Sequence, residues 1–154
     1  MEIRPAVSND IEALCSLLTE FFTYNAALQP AYYKAHNESG EYPTKSIIES
    51  ENSDFLVAVE NDAILGFIHI IQMETPSYCS LVPHKYAEIE LFMVTALHRK
   101  QGVGSKLIDA AKQWSKDRNL DYIELFSLSN AESANNFYNN NNFATVSYIR
   151  RYTL

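Results

Sequence analysis

Two glycines in a chain poor in glycine are the first residues with a chemical use. Gly102 and Gly104 are half of the four glycines among 154 residues. They stand between a run that reads as a strand, Ala87 to Val94, and an amphipathic helix. The first turn of a helix carries N–H groups with no internal partner, and its dipole favours an anion. Glycine at that place lets the backbone approach a phosphate closely. From His98 to Arg118 six basic residues oppose two aspartates, a net of +4, while the rest of the chain carries −11. A solvated basic helix face would give the same count. Two nucleotide motifs fail. Gly104-Ser105-Lys106 has the wrong order for a P-loop, and Leu107 stands where a dinucleotide fingerprint needs its third glycine. A bare Gly-x-Gly could also be only a turn. The second chemical feature is a pair of carboxylates, Glu88 and Glu90, placed on one face of the preceding strand by its period of two.

The elements around these residues follow from pattern. Ile3 and Arg4 form a short first strand stopped by Pro5. Asn9 and Glu12 fit a capping box, and Ile11, Leu14, Leu17, Leu18 and Phe21 give a helix over 10–22. A further helix is expected near 44–51. Strands over 55–59 and 64–73 flank the turn Asn61-Asp62 and make a hairpin. Residues 74–86 read as a loop, 87–94 as a strand and 102–118 as a helix. A strand over 122–127 and a short helix around Ala131 to Tyr138 come next. The asparagines 139–142 read as a helix end, and 143–152 alternates like a last strand or hairpin. This order predicts a mixed α/β (α+β) domain spanning 1–154.

Composition narrows the partners. Lys plus Arg is 12 against 19 for Asp plus Glu, a formal charge of −7, which argues against a nucleic-acid binder. The acidic balance suits a cationic substrate. The longest apolar run, Ile64 to Ile71, is broken by Gly66 and His69 and is too short to span a membrane. The start has no signal-peptide pattern, and Cys15 and Cys79 read as reduced residues of a cytoplasmic protein. His69 and His84 are isolated, so no metal site is expected.

The stretch Arg99-Lys-Gln-Gly-Val-Gly104 resembles the Arg/Gln-x-x-Gly-x-Gly/Ala signature of the GCN5-related N-acetyltransferase (GNAT) family. The likeness spans nearly the whole chain. Glu2 to Ala6 with the following helix resembles the family's opening, and Val57 to Gly66 its central hairpin. Phe137-Tyr138 and Phe143 resemble its late Tyr and Gly-Phe elements, with Asn142 in the glycine's place.

The resemblance implies a mostly antiparallel central sheet flanked by helices, and acetyl-coenzyme A as co-substrate. Backbone N–H groups from Gln101 through Gly102, Val103 and Gly104 to Ser105 would hold the pyrophosphate, with Arg99 and Lys100 adding charge. The backbone at Phe92, Met93 and Val94 would pair with the pantetheine arm as if it were an added strand. Transfer to an amine needs loss of a proton from a group whose pKa is about 10.4, and Glu88 or Glu90 could take it, directly or through water. Glu88 lies eleven residues before Arg99, a spacing similar to that of the base in the family's histone acetyltransferases. Tyr138 matches the family's proton donor to the departing thiolate. The family often has Asn seven residues before that Tyr, where this chain has Ala131. Asn130 or Asn135 would have to make the contact instead.

The leading expectation is direct acetyl transfer to a primary amine, small molecule or peptide, in a ternary complex. The alternative is a non-catalytic coenzyme A or acyl-coenzyme A sensor of the same fold. The aromatic residues Phe21, Phe22, Tyr24, Tyr32 and Tyr33 could wall an acceptor pocket, belong to the core or form a homodimer surface.

Overall fold

The computed structural model describes residues 1–35 and 45–154. Its elements are β1 (Glu2–Pro5), α1 (Ile11–Leu28), α2 (Lys45–Ile48), β2 (Ser53–Glu60), β3 (Ala63–Glu74), β4 (Lys85–Val94), α3 (Val103–Asp117), β5 (Ile123–Leu125) and α4 (Glu132–Asn140). The five strands form one sheet in the order β1-β2-β3-β4-β5. All neighbours are antiparallel except β4 and β5, which are parallel. The chain is therefore a mixed α/β protein with a mostly antiparallel sheet flanked by helices.

Each face of the sheet has its own core, because a strand alternates its side chains between faces. On one face Leu56, Ala58, Ile68, Ile70, Ala87 and Ile89 meet Val103, Leu107, Ile108, Ala111 and Trp114 of α3. On the other, Phe55, Val57, Phe67, Leu91 and Met93 meet Leu14 and Leu18 of α1. The hairpin turns at Asn61 and Asp62 with φ of 50° and 63°. Asn and Asp tolerate this left-handed conformation best after glycine, and two such residues make the tight turn that matches strand twist.

Several boundaries differ from those read in the sequence. The first helix continues to Leu28. The Asn9–Glu12 capping box is not formed. Instead Asp10 accepts the Val7 N–H at 2.8 Å and pairs with Arg4 at 2.7 Å. The expected helix near 44–51 is described over Lys45–Ile48, and position 44 lies outside the described residues. The β3–β4 ladder reaches Glu74 opposite Lys85, so the loop between them is shorter than expected. The strand expected over 122–127 keeps only three ladder residues. Residues 143–152 are not a strand at all. Alternation makes a segment suitable for a sheet, but a strand exists only with a ladder partner, and this segment has none among the described residues.

Candidate active site

The site begins where β4 and β5 part. Their ladder holds Ala87 against Ile123, Glu88 against Glu124 and Ile89 against Leu125, and stops there. β4 continues to Val94 beside β3 alone. A bulge marks the parting point. His69 faces Leu91 and Ile70 faces Ile89, so Glu90 is an extra residue in β4. An inserted residue bends its strand and shifts the alternation. The cores record the shift. Ala87 and Ile89 pack on the α3 side, whereas Leu91 and Met93 pack on the α1 side. Phe92 and Val94 are left to pack toward α3. From Phe92 to Val94 no β5 residue stands opposite β4.

The chain then turns into α3. The Thr95 N–H bonds to the Leu65 carbonyl at 2.9 Å, and a 3-10 turn runs from Ala96 to His98. Gln101 Nε2 donates to the Leu97 carbonyl at 2.9 Å. Lys100 and Gly102 have φ of 60° and 83°. The first turn of α3 closes with the Lys106 N–H on the Gly102 carbonyl at 3.1 Å. The N–H groups of Val103, Gly104 and Ser105 therefore precede any intrahelical acceptor and point out of the helix start. The two glycines serve different ends. A Cβ on Gly102 would meet nothing within 4 Å, so its conformation alone requires glycine. A Cβ on Gly104 would lie 3.1 Å from the Phe137 ring and 3.2 Å from the Phe92 ring. Gly104 thus lets α3 lie close against β4 and α4.

The basic residues divide. Arg99 folds back, its Nε donating to the Val94 carbonyl at 2.9 Å, with Glu20 at 4.0 Å and the Tyr24 ring at 5.5 Å. An open cavity of about 500 Å³ lies here, lined by Thr19, Glu20, Thr23, Tyr24, Ala96 and Arg99 among others. Arg118, at the far end of α3, stacks on Trp114 at 3.9 Å and pairs with Asp54 at 3.3 Å. Only part of the basic segment therefore faces the start of α3. The aromatic group divides too. Phe21 and Phe22 pack on the α1-side core, while Tyr32 is 62% exposed.

Glu88 and Glu90 sit at the parting in different surroundings. Burial, with Glu124 and Glu90 nearby, holds the Glu88 carboxyl above the ordinary carboxylate range. Glu90 lies 2.7 Å from Nδ1 of His69. His69 is 3% exposed and stacks on Phe55, with centroids 4.3 Å apart and planes at 7°. Burial pushes its imidazole below the usual value of 6.5 despite the pull of Glu90. The ring is therefore neutral near pH 7, and contact with a carboxylate places its proton on Nδ1. His69 and Glu124 were not among the site residues read from sequence. The period of two puts His69 on the β3 face toward α1, but its meeting with Glu90 depends on the bulge register.

Tyr138 projects from α4 into an aromatic group, with Phe137, Phe143 and Phe92 at 5.7, 5.9 and 6.1 Å. Burial pushes its phenol up to about 12. It stays protonated at any physiological pH. The Asn142 turn, with φ of 66°, brings the Phe143 N–H to the Tyr138 carbonyl at 3.0 Å. Asn130 donates to the Leu28 carbonyl at 2.9 Å. Asn135 accepts from Ser127 at 2.7 Å and donates to the Leu128 carbonyl at 2.9 Å. Both amides thus hold the loop after β5. Among the described residues no group of three or more His, Cys, Asp or Glu could hold a metal ion, and no helix is long and apolar enough to cross a membrane.

A mostly antiparallel sheet whose fourth and fifth strands part in front of a glycine-led helix start frames the candidate site. The family model described as "Acetyltransferase (GNAT) family" matches residues 11–143, and the chain belongs to that family. Over 144 residues it is 24% identical to the uncharacterized N-acetyltransferase YhfO of Bacillus subtilis, covering 93% of this chain and 89% of that protein. Among solved structures it is similar to a mutant of the BH1408 protein of Bacillus halodurans. That match has 21% identity and a TM-score of 0.92, covering 100% of this chain and 99% of the other. It is also similar to an aminoglycoside acetyltransferase from an uncultured soil metagenomic sample, crystallised with sisomicin. There the identity is 19% and the TM-score 0.72, with 99% and 95% of the chains covered. These two likenesses concern the fold.

Proposed function

We propose that residues 1–154 form one cytoplasmic N-acetyltransferase domain that moves an acetyl group from acetyl-coenzyme A to a primary amine by direct transfer. The observation that carries the reading is the parting of β4 from β5 in front of the open start of α3. Outward N–H groups at Val103, Gly104 and Ser105, with Lys100 and Lys106 nearby, suit a pyrophosphate. The backbone of Phe92 and Met93 suits an extended, amide-bearing arm, which can add to a strand edge. The Val94 carbonyl is already held by Arg99. Arg99 therefore shapes the end of β4 and leaves the phosphate charge to Lys100 and Lys106.

Acetyl-coenzyme A supplies the acetyl group as a thioester, so a C–N bond forms and a C–S bond breaks. Glu90 takes the proton of the attacking amine, directly or through water. It stands at the parting point and is aimed by His69. Glu88 remains in the ladder beside Glu124 and keeps that edge acidic, which favours a cationic acceptor. Tyr138, kept protonated, donates a hydrogen bond to the departing sulfur, whose thiol has a pKa of about 8.5; the proton that Glu90 took leaves to water, and water supplies the thiolate's.

Calorimetric titration with acetyl-coenzyme A tests binding, and thiol release across a panel of amines tests transfer. Tyr138→Phe and Glu90→Gln should each slow thiol release by about 10²-fold or more while binding persists. Absence of acetyl-coenzyme A binding to the folded chain would overturn the reading. Binding with no transfer to any amine, unchanged in both variants, would point to a sensor of the same fold.

A further inference from the structure

Among the described residues, one corner of the sheet is left without a covering helix. α1 packs on Phe55, Val57, Phe67, Leu91 and Met93, and neither Ile71 nor Met73 belongs to that core. Ile68 and Ile70 face α3, so by the period of two Ile71 and Met73 face the other way. Their ladder partners in β4 are Glu88 and Tyr86. Across β4, Ile123 and Leu125 also pack toward α3, which leaves Tyr122 and Glu124 on the same uncovered face. Ile71, Met73, Tyr86 and Glu88 are partly buried, and Tyr122 is 40% exposed.

The chemistry of this corner is aromatic and acidic. The Tyr86 and Tyr122 rings stack with centroids 4.9 Å apart and planes at 13°. Glu88 stands beside Glu124 across the parallel ladder. Burial first, and then Glu124, raises both the Glu88 carboxyl and the Tyr86 phenol above their ordinary values. The nearby basic groups are engaged elsewhere. Lys85 lies on the opposite face by the period of two and pairs with Glu74 at 3.1 Å, and His84 pairs with Asp121 at 2.9 Å. Among the described residues neither Glu88 nor Glu124 pairs with a cation. Ring faces and carboxylates together attract a positive group.

We propose that the acceptor is an aliphatic diamine or polyamine, one ammonium of which rests on Tyr86, Tyr122, Glu88 and Glu124 while another nitrogen meets Glu90. The inference rests on the reading of Glu90 as the proton acceptor. Glu90 reaches this face through the bulge, because it meets His69, whose ring stacks on Phe55 of the α1-side core. Two residues of a strand span at most about 7 Å, so Glu90 and Glu88 mark two cationic positions about that far apart. Ile71 and Met73 beside them give an apolar floor for a short carbon stem. The backbone selects against a peptide. At Glu88 the strand is paired with β3 on one side and β5 on the other, so its N–H and C=O groups are not free to hold a peptide's amides. A diamine has no amides to satisfy, and side chains alone can hold it.

Calorimetric titration of putrescine, spermidine and butylamine into the full chain, with and without saturating coenzyme A, reads binding apart from transfer. Putrescine and spermidine should each bind about tenfold tighter than butylamine, which has the same stem as putrescine and one charge fewer. That advantage should shrink as salt rises, because it is electrostatic. Glu124→Gln and Tyr122→Leu should each cut the putrescine-to-butylamine affinity ratio by about threefold, with an unchanged far-ultraviolet spectrum. Equal affinity for putrescine and butylamine would overturn the proposal. So would absence of diamine binding, or a ratio unchanged in both folded variants. Preferred diamine binding without thiol release would sink the transfer reading and leave this site standing. Thiol release with equal kcat/KM for putrescine and butylamine would keep the transfer reading and sink this site.

Discussion

Gly102 offers a clean test of how α3 is started. Its φ is 83°, and a Cβ there would meet nothing within 4 Å. Any loss on substitution must then come from backbone conformation, with no steric part. A non-glycine residue held left-handed loses roughly 1–2 kcal/mol. Unfolding of a domain of this size shifts by roughly 2–4 °C per kcal/mol. Gly102→Ala should therefore lower the melting temperature by roughly 2–8 °C. Gly102→Asn should lower it less, because Asn tolerates this conformation, and Gly102→Val should lower it most, because a β-branched residue tolerates it least. Thermal unfolding followed by circular dichroism measures the series, and urea midpoints check it. Equal losses for Asn and Val would refute the reasoning. So would an ordering by side-chain volume with Asn worse than Ala, since that would mean the space around Gly102 is filled in solution.

Other outcomes follow from the same geometry. Asp10 is held below the ordinary carboxylate range chiefly by the Arg4 hydrogen bond, assisted by the Val7 N–H and opposed by burial. A depressed carboxylate stabilises the fold above its unfolded value of 3.8, and that stability is lost as pH falls through the folded value. Asp10→Asn should destabilise by about 1–2 kcal/mol at pH 7 and remove this acid-limb loss in urea unfolding below about pH 4. His69 is also depressed, so the unfolded chain binds its proton first. Stability should fall as pH drops below 6.5, and His69→Phe should flatten that part of the profile. Trp114 donates to Asp54 at 2.6 Å, and Arg118 reaches the same carboxylate at 3.3 Å. Asp54→Ala should destabilise by about 1.5–3 kcal/mol, read from urea midpoints, and should leave acetyl-coenzyme A affinity unchanged.

Much of the fold was legible because its signals are local. The stripe Val103, Leu107, Ala111 and Trp114 defines α3 by spacing alone, and Asn61-Asp62 defines the hairpin by turn chemistry. The glycine pair was legible as a helix start, since a left-handed residue before an amphipathic run has few other uses. Its second half was not. A Cβ on Gly104 would crowd the rings of Phe137 and Phe92, the first of them 33 residues away, and no local pattern carries that contact. Nor does charge or position carry the hydrogen bond from Arg99 Nε to the Val94 carbonyl, which ties this basic residue to the end of β4. Residue type likewise does not show that the Asn130 and Asn135 amides bond to the Leu28 and Leu128 carbonyls.

By itself the sequence determined the order of elements through α4, the helix start at Gly102 and the shared strand of Glu88 and Glu90. These depend on neighbours within a turn or two, where periodicity and backbone sterics act. Only the tertiary structure decided that Glu90 is a bulge residue, that His69 stands 2.7 Å from it, and that β4 and β5 part just beyond. Register between strands is set by the whole sheet and its two cores, and one inserted residue changes which faces meet. The same reason explains residues 144–154. Their alternation is written in the sequence, but a strand needs a partner edge, and among the described residues no edge pairs with them.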